Sequence, residues 1–240
     1  MKAGVRILSA LFRVLDLFIS ISVCLFCLLF LLLGVYSLYD TALLYHDASD
    51  SSFLRFRPEV TREKRTAYEE LKGSVSWLTL EGAGVDAPVM QGKDNLEYLN
   101  KNPYGEFSLS GSLFLDFRNS SDFSDPYSLI YGHHMDHHMM FGALDQYMDE
   151  EFFNAHSEGL LYTQGQVLNL KIVAYGECSA YDSRVFEPVG AENVREFIRD
   201  HSVYFKEEEW NENERIVCFS TCRFPDTQSR TVVFALIKEQ

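Results

Sequence analysis

The sequence predicts a mostly β domain, closed or nearly closed into a barrel with short peripheral helices, set behind one N-terminal transmembrane helix. Three features predict this: a charge-free apolar run near the N-terminus, eight short β-rich runs after residue 74, and only two longer helical stretches among them.

The apolar run is Leu17 to Leu38. As a helix its 22 residues span roughly 33 Å, the thickness of a bilayer's hydrocarbon core. A cleaved signal peptide would have a shorter apolar region and a small-x-small site, whereas this run ends in Tyr36, Leu38 and Tyr39. A buried core helix would carry a polar face, and this one has almost none. Lys2, Arg6 and Arg13 precede the span and no Lys or Arg follows it between Tyr39 and Asp50, so the positive-inside rule puts the N-terminus in the cytoplasm and the rest outside. The expected organisation is a cytoplasmic N-terminus (1–16), a single-pass membrane anchor (17–38), a juxtamembrane linker with a short helix (39–73) and an extracellular domain (74–240).

The exported part is strongly acidic. The chain carries −14 overall, and its first 40 residues carry +1 (Lys2, Arg6 and Arg13 against Asp16 and Asp40), which leaves −15 outside. Nucleic acid and anionic lipid need a basic surface, so neither is expected as the main partner. A content of 47% hydrophobic and 14% aromatic residues suffices for a core and excludes disorder throughout.

Before the domain, Thr61–Lys72 has good helix formers with Thr61 as N-cap, and Gly73 ends it. Within the domain the strand candidates are Val75–Leu80, Val85–Met90, Ser112–Phe117, Ser128–Tyr131, Leu160–Thr163, Val167–Tyr175, Ile216–Cys222 and Thr231–Ile237. Phe141–His156 and Ala191–Phe205 read as helical. Many short strands with few helices favour a barrel over a parallel α/β sheet.

Of five cysteines, Cys24 and Cys27 fall within the span, leaving Cys178, Cys218 and Cys222 outside. An odd number means at least one free thiol. Cys218 and Cys222 on one strand would stand about 13 Å apart, beyond the reach of a disulfide. Arg223 to Ser229 reads as a loop, so Cys222 would end one strand of a hairpin and Arg230 would begin the next. A cation beside a thiol favours the nucleophilic thiolate, or stabilises the oxyanion formed when a thiolate attacks a carbonyl. Taken alone, the pair fits a buried structural cysteine beside a hairpin-closing arginine somewhat better.

A base for such chemistry is offered by Tyr131-Gly132-His133-His134-Met135-Asp136-His137-His138. A His-rich tract can bind metal, but neither His-Glu-x-x-His nor Cys-x-x-Cys occurs, and Gly132 marks a strand end rather than a helix. The tract could also be a polar loop without a role, or could supply the proton-transfer partner of Cys222.

Together, Tyr131-Gly132-His133, Phe219-Ser220-Thr221-Cys222 and Arg230 resemble the signatures of the sortases, and more narrowly of class B sortases. The resemblance extends to Gln91-Gly92-Lys93-Asp94-Asn95 with Tyr98-Leu99, to Ser110-Gly111-Ser112-Leu113-Phe114-Leu115-Asp116, to Met140-Phe141, and to the helical insertion before the cysteine strand. It implies an eight-stranded sortase β-barrel and a cysteine transpeptidase needing no cofactor or metal. Cys222 would be the nucleophile, His133 the acid and base, and Arg230 the clamp on substrate or oxyanion, while Asn95, Tyr131, Ser220 and Thr221 would line the substrate groove. The implied partners are secreted proteins with a C-terminal sorting motif and an acceptor amine, on a peptidoglycan precursor or a pilin. Cys218 and Phe219 stand where the family often has Thr and Leu, a change in packing near the site. Two rivals follow from the same residues: a non-enzymatic extracellular binding module using the His-rich loop, and a cysteine hydrolase that passes the acyl group only to water.

Overall fold

A computed structural model describes the backbone of residues 2–58, 67–188, 190–223 and 226–238, and the side chains of 10–58, 67–188, 190–221 and 228–238. The chain divides into two units, Met1–His46 and Asp47–Gln240.

The first unit is formed by helix α1 (Lys2–Ala48), which runs past Leu38 into residues the sequence assigns to the linker. It is long and apolar enough to cross a membrane, and none of its most hydrophobic window is buried within the chain. Large apolar side chains such as Leu17, Phe26 and Leu31 are more than half exposed.

The second unit is built on strands β1 (Ser74–Leu80), β2 (Val85–Met90), β3 (Leu113–Leu115) and β4 (Tyr127–Tyr131). A small hairpin, β5 (His134–Met135) with β6 (Met139–Met140), follows, then helix α2 (Glu150–Ala155). Next come β7 (Glu158–Thr163), β8 (Gln166–Ser179), α3 (Ser183–Phe186), α4 (Glu192–His201) and β9 (Ser202–Phe205). β10 (Arg215–Arg223) and β11 (Asp226–Lys238) end the described chain. The strands lie in the order β11-β10-β4-β3-β2-β1-β7-β8, and β8 pairs back onto β11, so eight strands form a closed barrel with β9 as a flap on β8.

Alternation along β10 and β11 explains how the barrel is filled. Val217 and Phe219, with Val233, Ala235 and Ile237, join one cluster to which all eight barrel strands contribute, the interior. Ile216 and Cys218, with Val232, Phe234 and Leu236, point the other way and pack under α4 through Val194, Phe197 and Ile198. Strands buried on both faces read as continuous apolar runs, which is why Thr231–Ile237 shows no alternation. Each fully buried Phe or Leu contributes about 1.5–3 kcal/mol.

Several boundaries differ from the expectation. The helical stretch Phe141–His156 is a 3-10 helix (Phe141–Met148) followed by α2, because Asp149 caps α2 by accepting from Phe152 N at 2.8 Å. The stretch Ala191–Phe205 ends as a helix at His201, and Ser202–Phe205 is instead β9, drawn onto Ala174–Gly176 of β8. Ser112–Phe117 shortens to β3, since Ser112 gives its hydroxyl to Lys101 O and its amide to Tyr98 O. The expected loop Arg223–Ser229 is mostly strand: Arg223 pairs with Asp226, and Ser229 pairs with Ser179, because the long β8 offers β11 a second ladder. Of the expected helix Thr61–Lys72, Ala67–Glu70 is a 3-10 turn and Thr61–Thr66 lies outside the described residues.

Candidate active site

One end of β4, β10 and β11 carries a cleft of about 280 Å³. Its lining includes Asn95, Tyr131, His133, Ser220, Thr221 and Arg230. Six of the seven residues singled out from the sequence thus meet in one place. The seventh, Cys222, is described by its backbone: it pairs directly with Arg230 across the antiparallel β10–β11 ladder. Its side chain lies outside the described residues.

The strands explain the convergence. β4 and β10 run parallel with Tyr131 opposite Ser220, and Gly132 N donates to Ser220 O at 3.2 Å. His133 therefore leaves β4 next to the end of β10. Gly132 is required by space: a Cβ there would lie 2.5 Å from Leu113 Cδ2 and 2.7 Å from the Phe141 ring. Beyond it, Phe141 N donates to His133 O at 3.0 Å and fixes the hairpin root.

The His133 ring is oriented by a backbone carbonyl. Its Nε2 lies 2.7 Å from Leu99 O. A carbonyl can only accept, so Nε2 carries a proton and Nδ1 is the nitrogen left for chemistry. His134 has a different partner, with Nε2 2.7 Å from Asp145 Oδ2. His137 and His138 form the hairpin turn, both at positive φ (60° and 57°). None of these three lines the cleft. Among the described residues no group of three His, Cys, Asp or Glu is arranged to hold a metal ion.

Arg230 is half-buried, with Nη1 donating to Ser229 O at 3.2 Å. On its other side it pairs with Cys178 of β8, so Cys222, Arg230 and Cys178 form one row across three strands. Adjacent strands lie about 4.8 Å apart, so two spacings hold the cysteines beyond disulfide range. Burial pushes the Cys178 thiol up to about 12, and Asp182 adds to this against the opposing charges of Arg230 and Arg184. Burial likewise raises the Cys218 thiol well above its usual value. Burial thus disfavours the thiolate form of both.

Ser220 and Thr221 are almost fully buried, and their hydroxyl oxygens find no hydrogen-bond partner among the described residues. Asn95 is anchored at both ends of its amide: Nδ2 donates to Asp116 Oδ2 at 2.8 Å and Oδ1 accepts from Phe117 N at 3.0 Å. Tyr131 also donates to Asp116 Oδ2, at 3.0 Å, and its ring stacks on Phe186 of α3. Burial, then the neighbouring Asp116 carboxylate, raises the Tyr131 phenol and keeps it neutral.

Sequence reasoning gave no role to Asp116, Arg118, Leu99 or Phe186. Asp116 and Leu99 lay in segments it noted; the Asp-x-Arg spacing of Asp116 and Arg118 at a strand end was the available signal. Phe186 comes from a short helix whose start, capped by Asp182 accepting from Arg184 N at 3.1 Å, has only that Asp to mark it.

A closed barrel of this strand order gathers a histidine and an arginine at one cleft, with a cysteine opposite the arginine in the ladder, an arrangement suited to a cysteine transpeptidase. The chain belongs to the sortase family, whose domain model matches residues 78–238. Within it the chain falls with class B. It is 32% identical to sortase B of Listeria monocytogenes over 72% of each chain. A class B sortase of Streptococcus pyogenes involved in pilus biogenesis superposes with a TM-score of 0.65 at 38% identity, over 75% of this chain and 98% of that one. The Staphylococcus aureus sortase B–substrate complex matches with a TM-score of 0.66 at 26% identity, over 81% and 92% of the two chains.

Proposed function

We propose that this enzyme is anchored in the cell membrane by α1 with its N-terminus cytoplasmic, and that outside the cell it joins secreted proteins to an amine through a Cys222 thioester. The observation that carries this reading is the single cleft shared by His133, Arg230, Tyr131 and Ser220, with Cys222 opposite Arg230 in the ladder. The flanking Lys2, Arg6 and Arg13 support the orientation.

In the first step the Cys222 thiolate, its thiol proton carried on Nδ1 of a His133 imidazolium, attacks a backbone carbonyl carbon of a C-terminal sorting signal. The C–N bond breaks as His133 gives its Nδ1 proton to the departing amine, leaving an acyl thioester. In the second step the acceptor nitrogen attacks that carbonyl and gives a proton back to His133. The C–S bond then breaks and the thiolate is restored. Arg230 donates to the substrate backbone and to the oxyanion in both steps, a role suited to its planar fork of donors. The Leu99 carbonyl holds the His133 ring throughout. Asn95, Tyr131, Ser220 and Thr221 line the groove that receives the peptide.

The acceptor is an amine of a wall precursor or of another surface protein. The similarity to a sortase involved in pilus biogenesis supports offering a lysine side chain as well as a peptidoglycan-type amine. Incubating the unit Asp47–Gln240 with peptides bearing Thr-Gly or Thr-Asn sites, with and without each amine, tests the reading. Amide products that need the amine are expected. Release of free acid alone would establish a hydrolase instead.

A further inference from the structure

We propose that Asp116 is the positioning residue of the cleft, holding its walls in register and so setting affinity for the sorting-signal peptide. This rests on the reading of the cleft as the substrate site.

Asp116 directly follows β3, and its side chain is fully buried. A carboxylate so placed is costly unless every lone pair is used. Here they are used, by two residues of the cleft lining and by Arg118 beside them. Oδ1 accepts from Arg118 N at 3.0 Å and Arg118 Nε at 2.8 Å. Oδ2 accepts from Arg118 Nη2 and Asn95 Nδ2, both at 2.8 Å, and from the Tyr131 hydroxyl at 3.0 Å. Five donors saturate the roughly four acceptor sites of a carboxylate.

The five donors come from three residues: Asn95 and Tyr131, which line the cleft, and Arg118 beside it. Asn95 comes from the segment between β2 and β3, Tyr131 from the floor strand β4. Arg118 passes the connection on, its Nη2 also donating to Phe186 O at 2.8 Å. Phe186 in turn stacks on Tyr131, with ring centroids 6.4 Å apart and planes 18° from parallel. One carboxylate therefore ties two walls and the floor. It makes no hydrogen bond to His133 or Arg230 among the described contacts, so its influence falls on the peptide's seat rather than on the reacting groups.

The partners respond to one another electrostatically. Burial alone would raise the Asp116 carboxyl, but hydrogen bonds from Arg118 and Asn95 outweigh it and hold the group below its usual value. The same pairing raises the Arg118 guanidinium.

The test is Asp116→Asn, which keeps the shape but turns an acceptor toward three donors into an amide with donors of its own. KM for a sorting peptide should rise about tenfold while kcat stays within about threefold, the pattern of lost uniform binding. Alkylation of Cys222 by a small methanethiosulfonate should keep its rate and pH profile. In a double-mutant cycle with Tyr131→Phe, the two KM effects should combine to less than their product, since both remove one bond. Should Asp116→Asn fail to fold, Tyr131→Phe and Arg118→Lys on the intact carboxylate should show the same KM-selective loss. Unchanged KM in these variants, a loss confined to kcat, or a purely multiplicative cycle overturns the role of Asp116 alone. Absence of peptide turnover by the wild-type enzyme overturns the reading of the cleft and this inference with it.

Discussion

His133 Nε2 is held 2.7 Å from the Leu99 carbonyl, whereas the next residue, His134, is spent on Asp145 at the same distance. Adjacent histidines thus have separate tasks, and their variants should separate too. His133→Ala should lower kcat/KM by about 10²–10⁴, the usual share of general acid–base catalysis. His134→Ala should cost thermal stability by loss of the Asp145 pair and leave turnover within severalfold. Steady-state kinetics beside a melting curve distinguishes them; the reverse pattern would reassign the catalytic histidine.

Arg230 allows charge and geometry to be separated. Arg230→Lys keeps a positive charge opposite Cys222 in the ladder but loses the planar fork. If Arg230 clamps substrate and oxyanion, the Lys variant stays impaired by about 10² or more, the loss typical of one missing oxyanion donor. Alkylation rate against pH should meanwhile show the Cys222 thiolate largely retained. Near-normal turnover in Arg230→Lys would rule out the clamp.

Gly132 is under steric constraint. Gly132→Ala places a methyl 2.5 Å from Leu113 Cδ2 and 2.7 Å from the Phe141 ring, and overpacking of this kind costs about 1–3 kcal/mol. Because His133 is the next residue, activity should fall along with the urea midpoint. A variant of wild-type stability and activity would show that the hairpin root can yield.

Acid should destabilise the domain through identifiable carboxylates. Hydrogen bonds from Arg118 and Asn95 depress Asp116, and those from Arg184 depress Asp182. A carboxyl depressed in the folded state binds fewer protons there than in the unfolded chain. Its contribution is complete above the unfolded value, about 4, and is lost as pH falls through the lower folded value. Urea midpoints should therefore drop across that window, and less steeply in Asp116→Asn. An unchanged acid slope in the variant would contradict the assignment.

Much of this architecture was legible because its causes are local. The run Leu17–Leu38, the strand cores and the Cys222–Arg230 hairpin follow from periodicity and turn residues, whereas His133 was singled out among four histidines by the resemblance of Tyr131-Gly132-His133 to the sortase signature. What was not legible depends on distant partners. Ser202–Phe205 is a strand because β8 overhangs it, and Ser229 is drawn into β11 by its pairing with Ser179 of β8. Asp116 is unremarkable in sequence, since its importance lies in donors contributed from residues 95, 118 and 131.

The central claim, covalent catalysis by Cys222, is tested most directly by mass spectrometry of the enzyme acid-quenched after mixing with a sorting peptide in the absence of amine. The account predicts an acyl adduct on the peptide fragment containing Cys222, consumed on adding amine, with no adduct on Cys178, whose thiol is pushed up to about 12. Cys222→Ala should form no adduct and no product while melting as a folded domain. An adduct on Cys178, or turnover that survives in Cys222→Ala, would contradict it.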